Sequence, residues 1–148
     1  MSNIRYPGSK HKLRGEIIKF FPPEFITEMF SGAETLTYVE PFFGSGAVGW
    51  EILSELKPRS RVVINDLDYS LMCLWNSVRQ QPEELVDKIR CAQLSHAIFA
   101  EYKNEDGDRD IDIVESGFRK LLLHQMSFSG LGAKAGGPIG GASQSNEK

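Results

Sequence analysis

The residues most suited to chemistry are Glu40-Pro41-Phe42-Phe43-Gly44-Ser45-Gly46 and, one apolar run later, Asp66. Glycines allow a tight turn and let backbone amides approach a ligand with no Cβ in the way. A helix starting at Ala47 would point its first amides and its dipole at an anionic group, phosphate or carboxylate. An acid at the end of the following strand, where Asp66 stands, accepts hydrogen bonds from ribose hydroxyls. Strand, glycine turn, helix, strand and acid together point to an adenosine-containing cofactor. Gly44, Gly46 and Gly49 form a G-x-G-x-x-G, a weak signal alone. Glu40-Pro41 counts against a nicotinamide dinucleotide, because such a site continues its strand with small apolar residues. The chain is also short for a nicotinamide half plus a substrate domain. A glycine turn holding no ligand is the bland alternative.

The elements that must position these residues follow from pattern. Arg5 to Lys10 reads as a turn, with Ser9 as a helix cap. Leu13, Ile17, Ile18 and Phe21 recur at helical spacing from Lys10 to Phe21. Pro22-Pro23 stops that helix, and Glu24 to Phe30 is a second, ended by Ser31-Gly32. Thr35 to Val39 favours a strand. Ala47 to Leu56 is helical, Lys57 to Ser60 is a turn, and Arg61 to Asn65 is a second strand. Its apolar middle suits a parallel strand buried on both faces. Ser70–Arg79, Pro82 to about Leu94, and Ile111–Met126 read as further helices, with an acidic loop from Asn104 to Asp110. The order implies an α/β fold with a parallel sheet and right-handed crossovers.

Composition bounds the rest. The 148 residues suit one domain, with 41% hydrophobic and 25% charged residues. No apolar run approaches the roughly 20 residues a membrane helix needs, and no signal-peptide core follows the basic N-terminal stretch. This reads as a cytoplasmic protein with no membrane association. The net charge of −3 argues weakly against a large nucleic-acid footprint. Cys73 and Cys91 lack metal-site spacing and His11, His96 and His124 are scattered, so no metal site is expected. Asp106, Asp108, Asp110 and Asp112 alternate like a calcium loop, but its glycine and final glutamate positions hold Ile111 and Gly117.

Several blocks now line up in order. Glu40 to Ala47 resembles the principal cofactor motif of the Dam-type (D12 class) adenine-specific DNA methyltransferases. Arg5-Tyr6-Pro7-Gly8-Ser9-Lys10 resembles the extra N-terminal motif of that family, Val63 to Asp66 its ribose motif, and Ser127-Phe128-Ser129-Gly130-Leu131 the start of its target-recognition hairpin. The resemblance implies a Rossmann-like methyltransferase fold, incomplete here. Residues 1–126 would form the S-adenosylmethionine-binding domain, and residues 127–148 the start of the hairpin or a disordered tail. It implies Tyr6, Lys10, Glu40, Phe42, Phe43, Gly44, Ser45, Gly46, Asp66 and Leu67 as cofactor residues. Lys10 would lie near the methionine carboxylate, Phe42 and the glycine loop at the methionine end, Asp66 on the ribose and Leu67 on the adenine. Phe128, Ser129 and Leu131 would meet double-stranded DNA, Phe128 as an apolar wedge beside the target base. An ordinary core residue is the alternative for Phe128.

The family holds its flipped adenine with Asp-Pro-Pro-Tyr, which this sequence does not contain. Phe21-Pro22-Pro23-Glu24 is no substitute, since Phe cannot accept the amine's hydrogen bonds and Glu cannot stack. No residue is assigned as catalytic. Three readings follow: the cofactor part of an adenine methyltransferase, inactive by itself; one chain of a split enzyme that pairs with a second polypeptide or self-associates; or a non-catalytic module binding S-adenosylmethionine or DNA. A small nicotinamide-binding protein is a further alternative.

Overall fold

A computed structural model describes residues 4–31, 35–56, 58 and 60–139. Gly32, Lys57, Arg59 and the tail from Gly140, named above as helix stop, turn and tail, lie outside the described residues. The chain divides into two compact units.

The first unit comprises residues 1–3 and 8–67. A 3-10 turn at Lys10–Lys12 leads into α1 (Arg14–Ile18), then α2 (Pro23–Ser31), β1 (Thr37–Glu40), α3 (Gly49–Glu55) and β2 (Arg61–Ile64). The strands are parallel, with Thr37 opposite Arg61 and Glu40 opposite Ile64. The helix expected over Lys10 to Phe21 breaks at Leu13. Ser9 makes no capping bond there; its hydroxyl bonds instead to the Ser45 hydroxyl at 2.8 Å. Leu13 is exposed and so gives that turn no apolar anchor. The core contains Met29, Tyr38, Val48 and Ile52, with Phe21, Phe25, Ile26 and Val62 packed around it. All of this lies on one face of the strand pair. Val39 and Val63, paired in register, stay exposed on the other. The expectation that β2 is covered on both faces is therefore corrected: with two strands described, one face is open.

The second unit comprises residues 4–7 and 68–148. Its helices are α4 (Tyr69–Gln80), α5 (Pro82–Arg90), α6 (His96–Asn104) and α7 (Ile113–Met126). Each start has a local cause. Asp68, Ser95 and Asp112 accept hydrogen bonds from first-turn amides of α4, α6 and α7, and Pro82 opens α5. Helix α5 stops at Arg90 rather than near Leu94. Helix α6 is additional to the helices expected from sequence; Ser95 caps it, and Ile98, Phe99 and Tyr102 recur at helical spacing. Beyond α7 come two 3-10 turns, Phe128–Gly130 and Gly132–Lys134, and one antiparallel bridge from Ser127 to Pro138. No helix among the described residues is long and apolar enough to cross a membrane.

Helix α7 packs on α4 through Gly117. A Cβ built there would lie 2.6 Å from the Cα of Leu74, so nothing larger than glycine fits without parting the helices. Gly117→Ala is expected to cost about 1–3 kcal/mol, the usual penalty of overpacking. Chemical denaturation reads this directly, and an unchanged midpoint would show that the contact is looser than described.

Candidate functional site

The first unit brings its site residues to the C-terminal edge of the strand pair. At that edge the chain leaves β1 at Glu40 and β2 at Ile64, and the two departing loops are stitched together. Asn65 N donates to Glu40 O at 3.0 Å and Phe43 N to Asn65 O at 2.9 Å. Gly44 N donates to the Asp66 carboxylate, Oδ2, at 2.8 Å. Asp66 thus reaches the glycine loop from the next strand, and it is half-exposed.

The loop needs its glycines for conformation and for space. Gly44 and Gly46 have φ of 54° and 71°. A Cβ on Gly46 would stand 2.5 Å from the Trp50 indole nitrogen and 2.7 Å from the Phe43 ring. One on Gly49 would stand 2.4 Å from that ring and 2.8 Å from Glu40 Oε2. Gly49, third in the G-x-G-x-x-G spacing, is therefore a packing residue, letting α3 lie against Phe43. Phe43 and Ser45 are buried beneath the loop, whereas Phe42 and Leu67 point to solvent, Leu67 being 96% exposed.

Charge comes from Lys10 and Glu40. The Glu40 side chain is buried, 6% exposed. Its Oε2 accepts from the Tyr38 hydroxyl at 2.8 Å. Its Oε1 lies 3.4 Å from Lys10 Nζ and accepts no hydrogen bond among the described residues. Lys10 donates to Phe42 O at 2.6 Å, so it bridges the N-terminal turn to the loop. Burial raises the Tyr38 phenol above its ordinary pKa, and the hydrogen bond to Glu40 and its negative charge add to this. Tyr38 therefore stays a donor throughout the physiological range.

Helix α3 begins two residues later than expected, at Gly49, and the Phe43, Gly44 and Gly46 amides are already paired within the site. The first i→i−4 bond of the helix runs from Trp50 N to Gly46 O, so the amides of Ala47, Val48 and Gly49 are those that precede its hydrogen-bonded ladder.

The remaining predicted residues lie in the second unit. The Tyr6 ring sits 5.1 Å from that of His124. Phe128 is 70% exposed on its 3-10 turn, so it is no core residue. Ser129 follows with φ of 54°, and Leu131 is partly exposed. This turn is held by buried polar groups that sequence reasoning missed. His124 Nδ1 lies 2.8 Å from Gly130 O, and Gly132 N donates to Ser127 Oγ at 2.8 Å. Lys120, 4% exposed, is held by Asp68 at 2.7 Å and Asp106 at 2.8 Å. Burial, chiefly, pushes the His124 imidazole below its ordinary pKa; the Gly130 hydrogen bond opposes this and the Lys120 charge reinforces it. The signal was present in the sequence: Ser116, Lys120 and His124 recur every fourth residue along the buried face of α7.

The acidic residues that alternate before α7 have separate tasks. Asp106 pairs with Lys120, Asp108 accepts from the Asp110 amide, and Asp112 caps α7. No metal-binding cluster occurs among the described residues.

A family profile described as "D12 class N6 adenine-specific DNA methyltransferase" matches residues 6–134. The chain is also 25% identical over 132 residues to the Type II methyltransferase M1.LlaDCHI of Lactococcus lactis subsp. cremoris. That alignment covers 86% of this chain but 41% of the relative, so the chain spans less than half the length of that protein.

Gly46→Ala tests the loop itself. Positive φ and the clash with Trp50 together are expected to destabilise the first unit by about 1–3 kcal/mol. The tryptophan emission of the folded protein should shift as Trp50 is displaced. A variant with unchanged stability and emission would mean that the loop tolerates a side chain at this point.

Proposed function

The chain belongs to the D12 class N6 adenine-specific DNA methyltransferase family, and on that premise we propose that it is the cofactor-binding part of such an enzyme, built on a Rossmann-like fold. The observation that carries this reading is the Gly44–Asp66 hydrogen bond, which sets a glycine loop beside an acidic strand end with Lys10 adjoining. The proposed division is a cofactor domain over residues 1–126 and the start of a DNA-recognition segment from residue 127.

The residues fit S-adenosylmethionine. Glu40 Oε1 is a buried acceptor with no hydrogen bond, and Lys10 beside it is a cation. That pair matches the ammonium and carboxylate of an amino-acid end. Phe42 offers an exposed apolar face to the methionine chain and Leu67 one to an adenine ring. Asp66 turns its carboxylate to ribose hydroxyls, sharing it with Gly44 N. Phe43 and Ser45 support the loop from beneath, and Gly44 and Gly46 keep it low enough for close approach. Tyr6 completes the set by resemblance alone. When bound, S-adenosylmethionine supplies an activated methyl group on a sulfonium. The substrate we propose is adenine of double-stranded DNA, approached by Phe128, Ser129 and Leu131.

The open Val39–Val63 face suits further strands, whether from a longer polypeptide or from a second chain carrying the Asp-Pro-Pro-Tyr motif. Covering this face would remove an apolar surface from water. A non-catalytic binding module remains the alternative reading, and transfer activity separates the two.

Calorimetry with S-adenosylmethionine should give saturable heat, and none with NAD. Asp66→Ala should weaken binding by about 1.5–3 kcal/mol, the range for hydrogen bonds to charged groups. Heat with NAD alone would overturn the assignment. In a second assay, these 148 residues should transfer labelled methyl to unmethylated DNA only at background. Transfer should rise when a polypeptide carrying the base-holding motif is added. No rise with a folded, cofactor-competent mixture would favour the non-catalytic module.

A further inference from the structure

Tyr38 and Glu40 stand two residues apart on β1, so their side chains leave the same face of the strand, and both are buried. The Tyr38 ring belongs to the apolar core with Met29, Val48 and Ile52. Its hydroxyl is the polar tip of that ring and donates to Glu40 Oε2 at 2.8 Å. Gly49 leaves room for this oxygen, since a Cβ there would stand 2.8 Å from it. A carboxylate is planar, so holding Oε2 also sets the direction of Oε1. Lys10 Nζ lies in that direction, 3.4 Å from Oε1.

The lysine needs such a hold. Its ammonium ends a flexible four-carbon stem, and ordering a long side chain around a ligand costs rotamer freedom. The Lys10 side chain is 35% exposed, so water competes for it. Phe42 O accepts one of its three N–H donors at 2.6 Å. Glu40 draws a second toward itself, from a carboxylate that the Tyr38 hydroxyl keeps from swinging. One N–H of Lys10 is left for a ligand. The phenol stays protonated and able to donate, since burial first, and then the hydrogen bond and charge of Glu40, raise its pKa. Tyr38 is 7% exposed, so any part it plays in binding is played through Glu40. Phenylalanine would fill the same core volume, so packing gives no reason for the hydroxyl.

We propose that Tyr38 is a positioning residue of the cofactor site: its hydroxyl orients Glu40, Glu40 orients Lys10, and Lys10 presents its remaining N–H to the carboxylate of an amino-acid end. This rests on the reading that the edge binds S-adenosylmethionine. It deepens that reading by naming the buried group that makes the site select a carboxylate. The whole relay lies within the first unit.

The test titrates the whole chain and Tyr38→Phe with S-adenosylmethionine and with its decarboxylated form, which keeps the adenosine, the sulfonium and the amine. The unaltered chain should favour S-adenosylmethionine. In Tyr38→Phe that preference should fall about tenfold, the scale of one charge-assisted hydrogen bond, while affinity for the decarboxylated form holds. A merely structural loss would weaken both ligands alike, and Ile52→Val, a core change with no polar group, is the control for it. In the ligand-free protein the ¹⁵N signal of Lys10 Nζ should move in Tyr38→Phe and stay in place in Ile52→Val. Glu40→Gln keeps the test open if Tyr38→Phe fails to fold. Its carbonyl oxygen still accepts from Tyr38, which turns the amide NH2 toward Lys10, so preference and Lys10 signal should change as in Tyr38→Phe. If the hydroxyl did not set the orientation, the amide would flip, offer Lys10 its oxygen and leave both unchanged. An unmoved Lys10 signal, or an unchanged preference between the two ligands, would overturn the proposal. Saturable heat with S-adenosylmethionine in that case leaves the cofactor reading standing. Binding of neither ligand by the unaltered chain would sink the cofactor reading, and the Lys10 signal would still decide whether Tyr38 orients Glu40 and Lys10.

Discussion

A parallel strand pair delivers two chain ends to the same edge, and the loops leaving that edge must satisfy their own backbone groups before they can do anything else. Here the Gly44 amide and the Asp66 carboxylate meet at 2.8 Å and close one loop onto the other. The bonds from Asn65 to Glu40 and from Phe43 to Asn65 extend the ladder beyond the strands proper. With the loop held this way, Phe43 turns inward against Gly46, Gly49 and Trp50, and Phe42 turns outward. Lys10 in turn donates to the Phe42 carbonyl of that loop. The edge is a cofactor-site candidate because these constraints agree.

Glu40 shows what such an edge costs. Burying a carboxylate is unfavourable unless hydrogen bonds and an opposite charge offset its lost hydration. Tyr38 supplies one hydrogen bond and Lys10 the charge, but Oε1 lacks a hydrogen bond of its own. A fold selected for stability alone would place an apolar side chain at this buried position. A carboxylate kept there, half-satisfied and next to a cation, is the kind of local inconsistency that functional sites tolerate.

The second unit solves a related problem along α7. Its buried stripe carries Ser116, Lys120 and His124, three polar residues on a face that should be apolar. Lys120 is neutralised by Asp68 and Asp106, which come from the start of α4 and the loop before α7. His124 and Ser127 hold the turns beyond the helix through Gly130 and Gly132. Phe128 is exposed on a turn anchored by these bonds. The family resemblance singled out Phe128, whereas the partners of the buried groups that hold its turn come from other parts of the chain.

Much of the local structure was legible in the amino-acid order. Proline and apolar spacing located α2, α4, α5 and α7, and the glycine loop with its acidic partner was evident from residue types and spacing. Those features are short-range: a proline removes a donor, and a glycine permits positive φ wherever it stands. The break at Leu13, the late start of α3, the open face of β2, and the partners of Glu40, Lys120 and His124 could not be read in this way. Each is decided by groups distant in sequence. The Ser9 hydroxyl bonds with that of Ser45 instead of capping a helix, and Lys120 finds its charges on other elements. Sequence by itself determined which residue types stand ready at the Gly44–Asp66 site. Tertiary structure decided which of their hydrogen bonds are already made, because pairing energies depend on distance in space and not along the chain.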